Sequence, residues 1–554
     1  MPIVPIRGLA EKGILRDPSP YELDLNAWSN GSNMRFHANK AERAPIWRTV
    51  KGGVAEEPVF VVGLEPSSGF DSVMVVGADG RTWQYGSGIL TEVTPSGFTP
   101  ATDPRAITST FLGDVLYINR PNQAPQYFGP GATQFANLPN METTWTARSL
   151  RAFGDFLIAL NVTKPSSFTD PFTGLLQTGG SFPSMFKWSD LTLAGLPPGS
   201  WDPDNPNTSA GENILEELNT PIVDGLPLRS IFVIYSETQI WAAEQVGGVA
   251  VFAWSKLFDE GGMIAPNCAV EVNGVHYVFG PKDIYKHDGV SKVSIIDKRN
   301  KNFVFRNLNK QKSEVCFVSY MPQYDSIVFG FNTGDPNAAF SGKLCDRCNY
   351  GAVYDLSADT WGFIDLPNVS MLTQANLDMV LTYASCPTSP LLEYANVGGS
   401  YYDQDNSFVK NVVGCSGIVS GLFTDQRVIA YDFFDKGNLA FRFEPELNAP
   451  AFLERTGIAL DQIGSDLTTY KKVRRVYPLI DIFDDDPVLI KVGGSETPAG
   501  APTYQPALPF DPVSQYKVDV MKGGRYLALK FTVEGPSDFE VAGYDLDITN
   551  AGRR

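Results

Sequence analysis

"VMVVGADGRTWQYGSGILTEV", residues Val73 to Val93, decides the fold class. It opens on four apolar residues, turns through Ala78, Asp79 and Gly80, and returns with Trp83 and Tyr85 two positions apart on one face. Branched and aromatic side chains pack well on a pleated surface, and Asp-Gly supplies the backbone freedom of a tight turn, so the stretch reads as a β-hairpin.

The unit recurs. "DVLYINRPNQAPQYFGPGATQF" (Asp114 to Phe135), "SIFVIYSETQIWAAEQV" (Ser230 to Val246), "GVHYVFGPKDIYKHDGVSKVSII" (Gly274 to Ile296) and "GAVYDLSADTWGFIDL" (Gly351 to Leu366) repeat strand, aromatic, turn and strand. Weaker forms surround Trp188 and Tyr394. With Tyr85, Tyr127, Trp188, Trp241, Tyr285, Tyr354 and Tyr394 as markers, the spacings run from 40 to 69 residues. The shorter ones match the roughly 40 to 50 residues of a four-stranded propeller blade, and the longer ones leave room for an inserted loop. One four-stranded sheet cannot cover both of its faces, whereas radial stacking buries them against neighbours. Consecutive hairpins in sandwiches would give similar local signals.

The expected fold is therefore all-β, a β-propeller of five to seven blades with long inserted loops, plus a C-terminal β-sandwich. Residues 1–50 read as an N-terminal arm and hairpin, 51–400 as the propeller, 401–425 as a linker or insertion, and 426–554 as the sandwich. Two stretches rich in Pro, Gly, Ser and Asn, 163–184 and 194–213, read as projecting loops. In the last region the blade period is lost, and "RYLALKFTV" (Arg525 to Val533) alternates Leu527, Leu529 and Phe531 against Tyr526, Ala528 and Lys530, so one face is core.

Composition agrees with a globular β protein. The 554 residues are 43% apolar and 12% aromatic, with 51 Gly and 40 Pro to make turns. Sixty-two acidic against 44 basic side chains give a net charge of −18, which disfavours a tight grip on nucleic-acid phosphates because that needs clustered cations. No apolar run approaches the 18 residues of a membrane helix, so a soluble chain made in a cytoplasm, with no stable membrane association, is expected. Six cysteines, at 268, 316, 345, 348, 386 and 415, are too sparse for a disulfide framework.

Catalytic constellations are scarce. The three histidines stand at 37, 276 and 287, and no Gly-x-Ser-x-Gly elbow, P-loop, dinucleotide fingerprint or His-Glu-x-x-His helix occurs. Cys345 and Cys348 form a C-x-x-C that could supply half of a zinc site, but no second pair follows. The carboxylates of "DIFDDDP" (Asp481, Asp484, Asp485, Asp486) and "YYDQDNS" (Asp403, Asp405) lack the Gly and distal Glu of an EF-hand loop and read as solvated turns. No enzyme activity, cofactor or metal site is expected.

Three segments carry a resemblance. "PSPYELDLNAWSNGSNMRFHANKAER" (Pro18 to Arg43) resembles the N-terminal signature of tail proteins of short-tailed bacteriophages. The run from "MFKWSD" (Met185 to Asp190) through "IFVIYSETQIWAAEQVGG" (Ile231 to Gly248) to "GVHYVFGPKDIYKHDG" (Gly274 to Gly289) looks like the propeller core of tail nozzle, tail tubular protein B-like and packaged-DNA stabilisation proteins. "GGRYLALKFTVEGPSDFEVAGYDLDITNAGRR" (Gly523 to Arg554) is similar to their terminal domain. The "HANK" turn, the Asp-rich loop and the "CDRC" loop depart from the pattern.

The resemblance implies a structural component of a virion tail, a nozzle-type ring below the head-to-tail adaptor that retains genomic DNA and conducts it during ejection. Implied partners are further copies of the chain in a hexameric ring, the adaptor, tail fibres or spikes, and DNA that passes without sequence-specific binding. A propeller-based carbohydrate-active or receptor-binding tail protein is the alternative. Trp28 and Phe36 are expected to pin the opening segment to the propeller body, with "MRF", including Arg35, paired across the hairpin and the preceding arm reaching a neighbour or the adaptor. Phe168 and Phe172 are the candidate interface anchors in the first loop.

Overall fold

The structure, a computed structural model, describes residues 3–37, 39–64, 73–86, 89–141, 144–169, 174–247, 250–335, 339–340, 346–375, 411–420, 423–432, 444–461, 469–482, 486–498 and 500–553. Among these the chain is nearly all β, with eight antiparallel sheets, one α-helix (Lys301–Asn307) and two 3-10 turns.

Five sheets are four-stranded meanders that follow one another along the chain. Sheet one comprises Pro58–Gly63, Val73–Gly77, Thr82–Gly86 and Ile89–Glu92. Sheet two comprises Thr108–Leu112, Val115–Asn119, Gln126–Phe128 and Ala136–Asn137. Sheet three comprises Thr146–Phe153, Phe156–Thr169, Leu176–Trp188 and Gly211–Ile214. Sheet four comprises Ile222–Leu228, Ile231–Ser236, Ile240–Gln245 and Phe252–Phe258. Sheet five comprises Ala269–Val272, Val275–Phe279, Ile284–His287 and Lys292–Ser294. Sheet six begins with Phe317–Met321, Ser326–Phe331, Cys348–Asp355 and Thr360–Ala375, and continues through Asn411–Ser420 and Phe423–Asp432 to Ile46–Gly52.

The period of two along a strand explains why "VMVV" is apolar throughout. Val73 and Val75 join Val413, Val428 and Ala430 of sheet six, while Met74 and Val76 join Leu116 and Ile118 of sheet two. The same division repeats along the series. Val115 and Tyr117 face Leu157 and Ala159 of sheet three, whose Ile158 and Leu160 face Phe232 and Ile234 of sheet four. Val233 and Tyr235 then face Val278 and Tyr285 of sheet five, in a core shared with Ile327 and Phe329 of sheet six. Each buried Val or Phe side chain stabilises by roughly 1.5–3 kcal/mol, so every sheet depends on both neighbours.

The Asp-Gly turn of sheet one forms as the sequence predicts. Gly80 has φ +92°, and a Cβ there would stand 1.4 Å from Nη1 of Arg120. The Arg120 guanidinium donates to the carbonyls of Ala78 and Ala101, so sheet two holds the turn of sheet one.

The last two sheets join the two ends of the chain. The seventh runs Met34–His37, Lys40–Arg43, Phe539–Arg553, Thr469–Ile482 and Val518–Gly524, with Val4–Arg7 added to Phe539–Arg553. The eighth runs Asn30–Ser32, Ala451–Ile458, Tyr526–Val533 and Val488–Ser495, followed by Thr503–Tyr504, with Leu508–Phe510 also paired to Val488–Ser495. The hairpin across "HANK" pairs Met34 with Arg43 and Phe36 with Ala41.

The opening segment differs from expectation in part: Met34–His37 packs against Thr360–Ala375 of sheet six, where Asn33 N–H donates to the Phe363 carbonyl, but Trp28 turns to other partners. Trp28 lies edge-on to Phe531, with ring centroids 6.1 Å apart, and beside Tyr544, so it anchors to the C-terminal sheets. Its Nε1 donates to the Leu9 carbonyl at 3.0 Å. The preceding arm does not leave the chain. Val4–Arg7 pairs with Gly543 to Leu546, the Ile14 N–H donates to the Trp361 carbonyl, and the Arg16 guanidinium lies 4.0 and 4.2 Å from the Phe303 and Phe363 ring centres. Asp17 then accepts from the N–H groups of Asn302 and Phe303 in the first turn of the helix. An apolar arm with Val4, Ile6, Leu9 and Ile14 finds an open strand edge and an apolar core within its own chain, and burial there satisfies it.

Three boundaries shift for similar reasons. Residues 411–420, expected in a linker, are a strand of sheet six, and the cut at 426 falls inside Phe423–Asp432. The cut at residue 50 falls inside Ile46–Gly52, which pairs with 427–432. Within the 163–184 stretch, 163–169 and 176–184 belong to the paired strands Phe156–Thr169 and Leu176–Trp188. Phe172, Tyr394, Asp403, Asp405, Asp484, Asp485, Cys345 and Cys386 lie outside the described residues.

Candidate functional site

The first strands of sheets two to five lie side by side in order, followed by Phe317–Met321, then Thr360–Ala375, then Pro58–Gly63 of sheet one. The last approach is close. Gly63 N–H donates to Thr373 Oγ1, Ser370 Oγ donates to the Pro58 carbonyl, and a Cβ on Gly63 would stand 1.9 Å from the Gln374 carbonyl oxygen. These strands line an open cavity of about 660 Å³. Leu64, Phe111, Leu226 and Met371 supply apolar wall, and Arg151, Asn267, Glu271 and Gln374 supply polar groups.

Beside the cavity is an ionic node. Asp224, completely buried, accepts from Arg151 Nε at 2.9 Å and Nη2 at 2.5 Å, from Ser149 Oγ, and from the N–H groups of Gly225 and Asn267. Burial alone would push its carboxyl up. The Arg151 charge, with the hydrogen bonds from Arg151, Ser149 and Asn267, outweighs that and holds it below the usual carboxylate range. Arg151 also donates to the Ser109 carbonyl and to Asn267 Oδ1, while Asn267 Nδ2 donates to the Ile107 carbonyl and its own carbonyl accepts from Val318 N–H. One guanidinium-carboxylate pair thereby ties together the inner strands of sheets two, three, four and six and the connection that leads into sheet five. With every acceptor of Asp224 occupied, its role is to hold the wall.

The histidines form a second buried network. Tyr235 Oη lies 2.7 Å from His276 Nδ1 and 2.6 Å from His287 Nε2, and His276 Nε2 lies 2.8 Å from the Pro227 carbonyl. Since a carbonyl only accepts, His276 Nε2 carries the proton, its Nδ1 accepts from Tyr235, and Tyr235 accepts from His287 Nε2–H. Burial pushes His276 down to about 4 and, with His276 beside it, His287 down to about 3, so both imidazoles are neutral. The nucleophile-and-base geometry of hydrolases is not what these rings form.

The residues singled out from sequence are not brought together. Trp28 and Phe36 are interior, at 1% and 2% exposure, so they act through folding. Arg35 pairs with Glu42 at 3.0 Å and donates to the Tyr324 carbonyl. Phe168 stands edge-on to Trp145, centroids 5.1 Å apart, on sheet three. Cys348 donates to the Val315 carbonyl, Asp486 accepts from Ser537 Oγ, and among the described residues no group of three metal-ligating side chains occurs. Sequence reading missed Asp224, Arg151 and Asn267. Asp224 stands in "IVDGLPL", where nothing local marks a carboxylate whose partner lies 73 residues away.

No family model matches the chain, and no curated protein matches it. Among solved structures it is similar to the AfRom2 CNH domain, at 8% identity and a TM-score of 0.35 over 70% of this chain and 100% of that one. It is also similar to the computationally designed Ika8 protein, at 12% identity and a TM-score of 0.36 over 70% of this chain and 99% of that one.

Proposed function

We propose that this chain is a nozzle-type ring protein of a short-tailed bacteriophage tail, built as a six-bladed β-propeller with a two-sheet sandwich made from both ends of the chain. The blades are sheets one to six, and the succession of two-faced cores supports their radial order. The observation that carries the functional reading is that the opening and closing segments that resemble this family are one physical unit. Asn30–Ser32 pairs with the strand that in turn pairs with Tyr526–Val533, and Lys40–Arg43 pairs with Phe539–Arg553.

The channel for DNA lies between copies of the chain. A cavity of about 660 Å³ along the axis of one copy is of small-molecule size. Six copies would carry about six times −18, near −108, and the acidic surface facing the lumen repels phosphates so that DNA slides without adhering. Ring closure uses heterologous contacts, one face of each subunit meeting a different face of the next. Val518–Gly524 is an edge strand of the seventh sheet, and with Val513, Tyr516 and Met521 at 93%, 73% and 75% exposure it offers an apolar edge for such a contact. The adaptor above and fibres or spikes at the rim complete the assembly.

Assembly of virions without this chain tests the reading. Heads that package DNA and then lose it are the expected product, and particles that retain their DNA would overturn the retaining role. The receptor-binding alternative is favoured by one observation, an aromatic cleft on sheet three.

A further inference from the structure

The outer half of sheet three carries a cleft of about 770 Å³ between the Phe156–Thr169/Leu176–Trp188 hairpin and the connection that follows it. The hairpin is irregular, and the irregularity shapes the cleft. Its register shifts between Leu160 and Val162 and again between Lys164 and Ser167, with Asn161 at φ +54° and Gly179 packed so closely that a Cβ would stand 1.7 Å from the Pro165 carbonyl oxygen. Bulges of this kind re-aim side chains beside functional surfaces. Here Lys164, only 6% exposed, lies 4.7 Å from the Trp145 ring centre, with Phe168 and Phe182 at 5.4 and 5.6 Å.

The opposite wall is equally fixed. Asp190 Oδ1 accepts from Ser209 N–H, Trp188 Nε1 donates to the Ser209 carbonyl, and Asn140 Nδ2 donates to the Pro198 carbonyl. Trp201 is buried in the same cluster as Trp145. The connection is thus tied down at several points. At the floor Glu212 accepts from Lys164 at 2.8 Å and from Lys187, which is completely buried, at 2.7 Å. Burial lowers the affinity of Lys187 for its proton, and the adjoining Glu212 offsets part of that. Asp202 and Asp204 add two carboxylates on the wall, so acidic groups outnumber the two lysines by one.

The surplus carboxylate disfavours an anion, and both lysines are already committed to Glu212. The cleft instead offers donors and acceptors together, through Gln177, Thr178, Ser200, Asp202 and Asn205, beside aromatic side chains. A hydroxyl both donates and accepts, and the C–H face of a sugar ring packs on an aromatic wall, so a neutral pyranose meets both demands; the volume lies within the range of roughly 300–1,000 Å³ of small-molecule sites.

We infer that the cleft on sheet three binds a neutral pyranose unit of an oligosaccharide. The inference stands independently of the ring reading, since it concerns the outside of one blade.

Titration of the full chain with glucose, galactose, mannose and N-acetylglucosamine, and with a β-linked trisaccharide of each, tests it through tryptophan fluorescence. The expected result is a saturable change with at least one probe, weakened about tenfold or more by Gln177→Ala or Asp202→Asn. Gln177 and Asp202 are partly exposed side chains, and an unchanged circular dichroism spectrum verifies that each variant is folded. No saturable change with any probe up to about 20 mM, a change unaffected in both variants, or binding of sulfate in place of the sugars would overturn the proposal.

Discussion

Arg151 and Asp224 lie on the inner strands of adjacent sheets and join through two hydrogen bonds, Nε at 2.9 Å and Nη2 at 2.5 Å, with the carboxylate wholly buried. The pair also holds its neighbours, because its remaining hydrogen bonds reach Ser109 of sheet two and Asn267 in the connection before sheet five.

Breaking it from one side leaves a charge without a partner in the interior. Asp224→Ala or Arg151→Met is expected to lower unfolding free energy by about 3–5 kcal/mol in denaturant titration. The double variant Arg151→Met/Asp224→Leu is expected to recover part of that loss, since both charges are then gone. A double variant that simply adds the two losses would show that the groups act separately.

Acid should unfold the protein in a defined order. His276 and His287, pushed down to about 4 and about 3, take up protons on unfolding wherever the pH lies below the ordinary histidine value of about 6.5. Their contribution is fully present above that value and falls as pH drops through the window between it and the folded values. The slope there approaches about 2.7 kcal/mol per pH unit for two protons. Asp224, held low, adds a further loss only below the usual carboxylate range. Unfolding free energies measured from pH 7 to 4 give the slope, and His276→Gln with His287→Asn should flatten it.

Trp28→Ala removes the ring between the arm and the C-terminal sheets. A loss of about 3–5 kcal/mol is expected, together with faster tryptic cleavage after Lys12 and Arg16 as the arm loosens. Unchanged proteolysis would mean that the Val4–Arg7 pairing and the contacts of Ile14, Arg16 and Asp17 hold the arm without Trp28.

Closure of sheet one on sheet six depends on a residue without a side chain. Gly63→Val places atoms where the Gln374 carbonyl already stands and is expected to cost several kcal/mol, whereas Gly334→Ala, which meets nothing within 4 Å, should be close to neutral. Thermal unfolding of the two variants separates them.

The periodicity of "VMVV" and its relatives made the all-β class legible, since alternation is a local property of a strand. The two-faced burial behind it was also implicit, because a run without a polar residue has no face left for water. Partners distant in sequence were not legible. Val4 pairs with Leu546, and neither segment carries a mark of the other. The arm therefore read as free although its apolar residues are consumed within the chain. The ionic node and the cleft on sheet three failed to appear for the same reason. Lys164, Lys187 and Glu212 are unremarkable in their own segments and meet only because a bulged hairpin brings them to one floor.

Met521 separates assembly from folding. Its side chain is 75% exposed on the edge strand, so Met521→Asp should leave the unfolding transition unchanged and abolish ring contacts. Rings that form normally with Asp at this position would place the contact elsewhere.

Electron microscopy of the purified chain, alone and mixed with the head-to-tail adaptor, tests the central claim most directly. Rings of six copies around an axial opening are the expected result. Monomers under both conditions would contradict it.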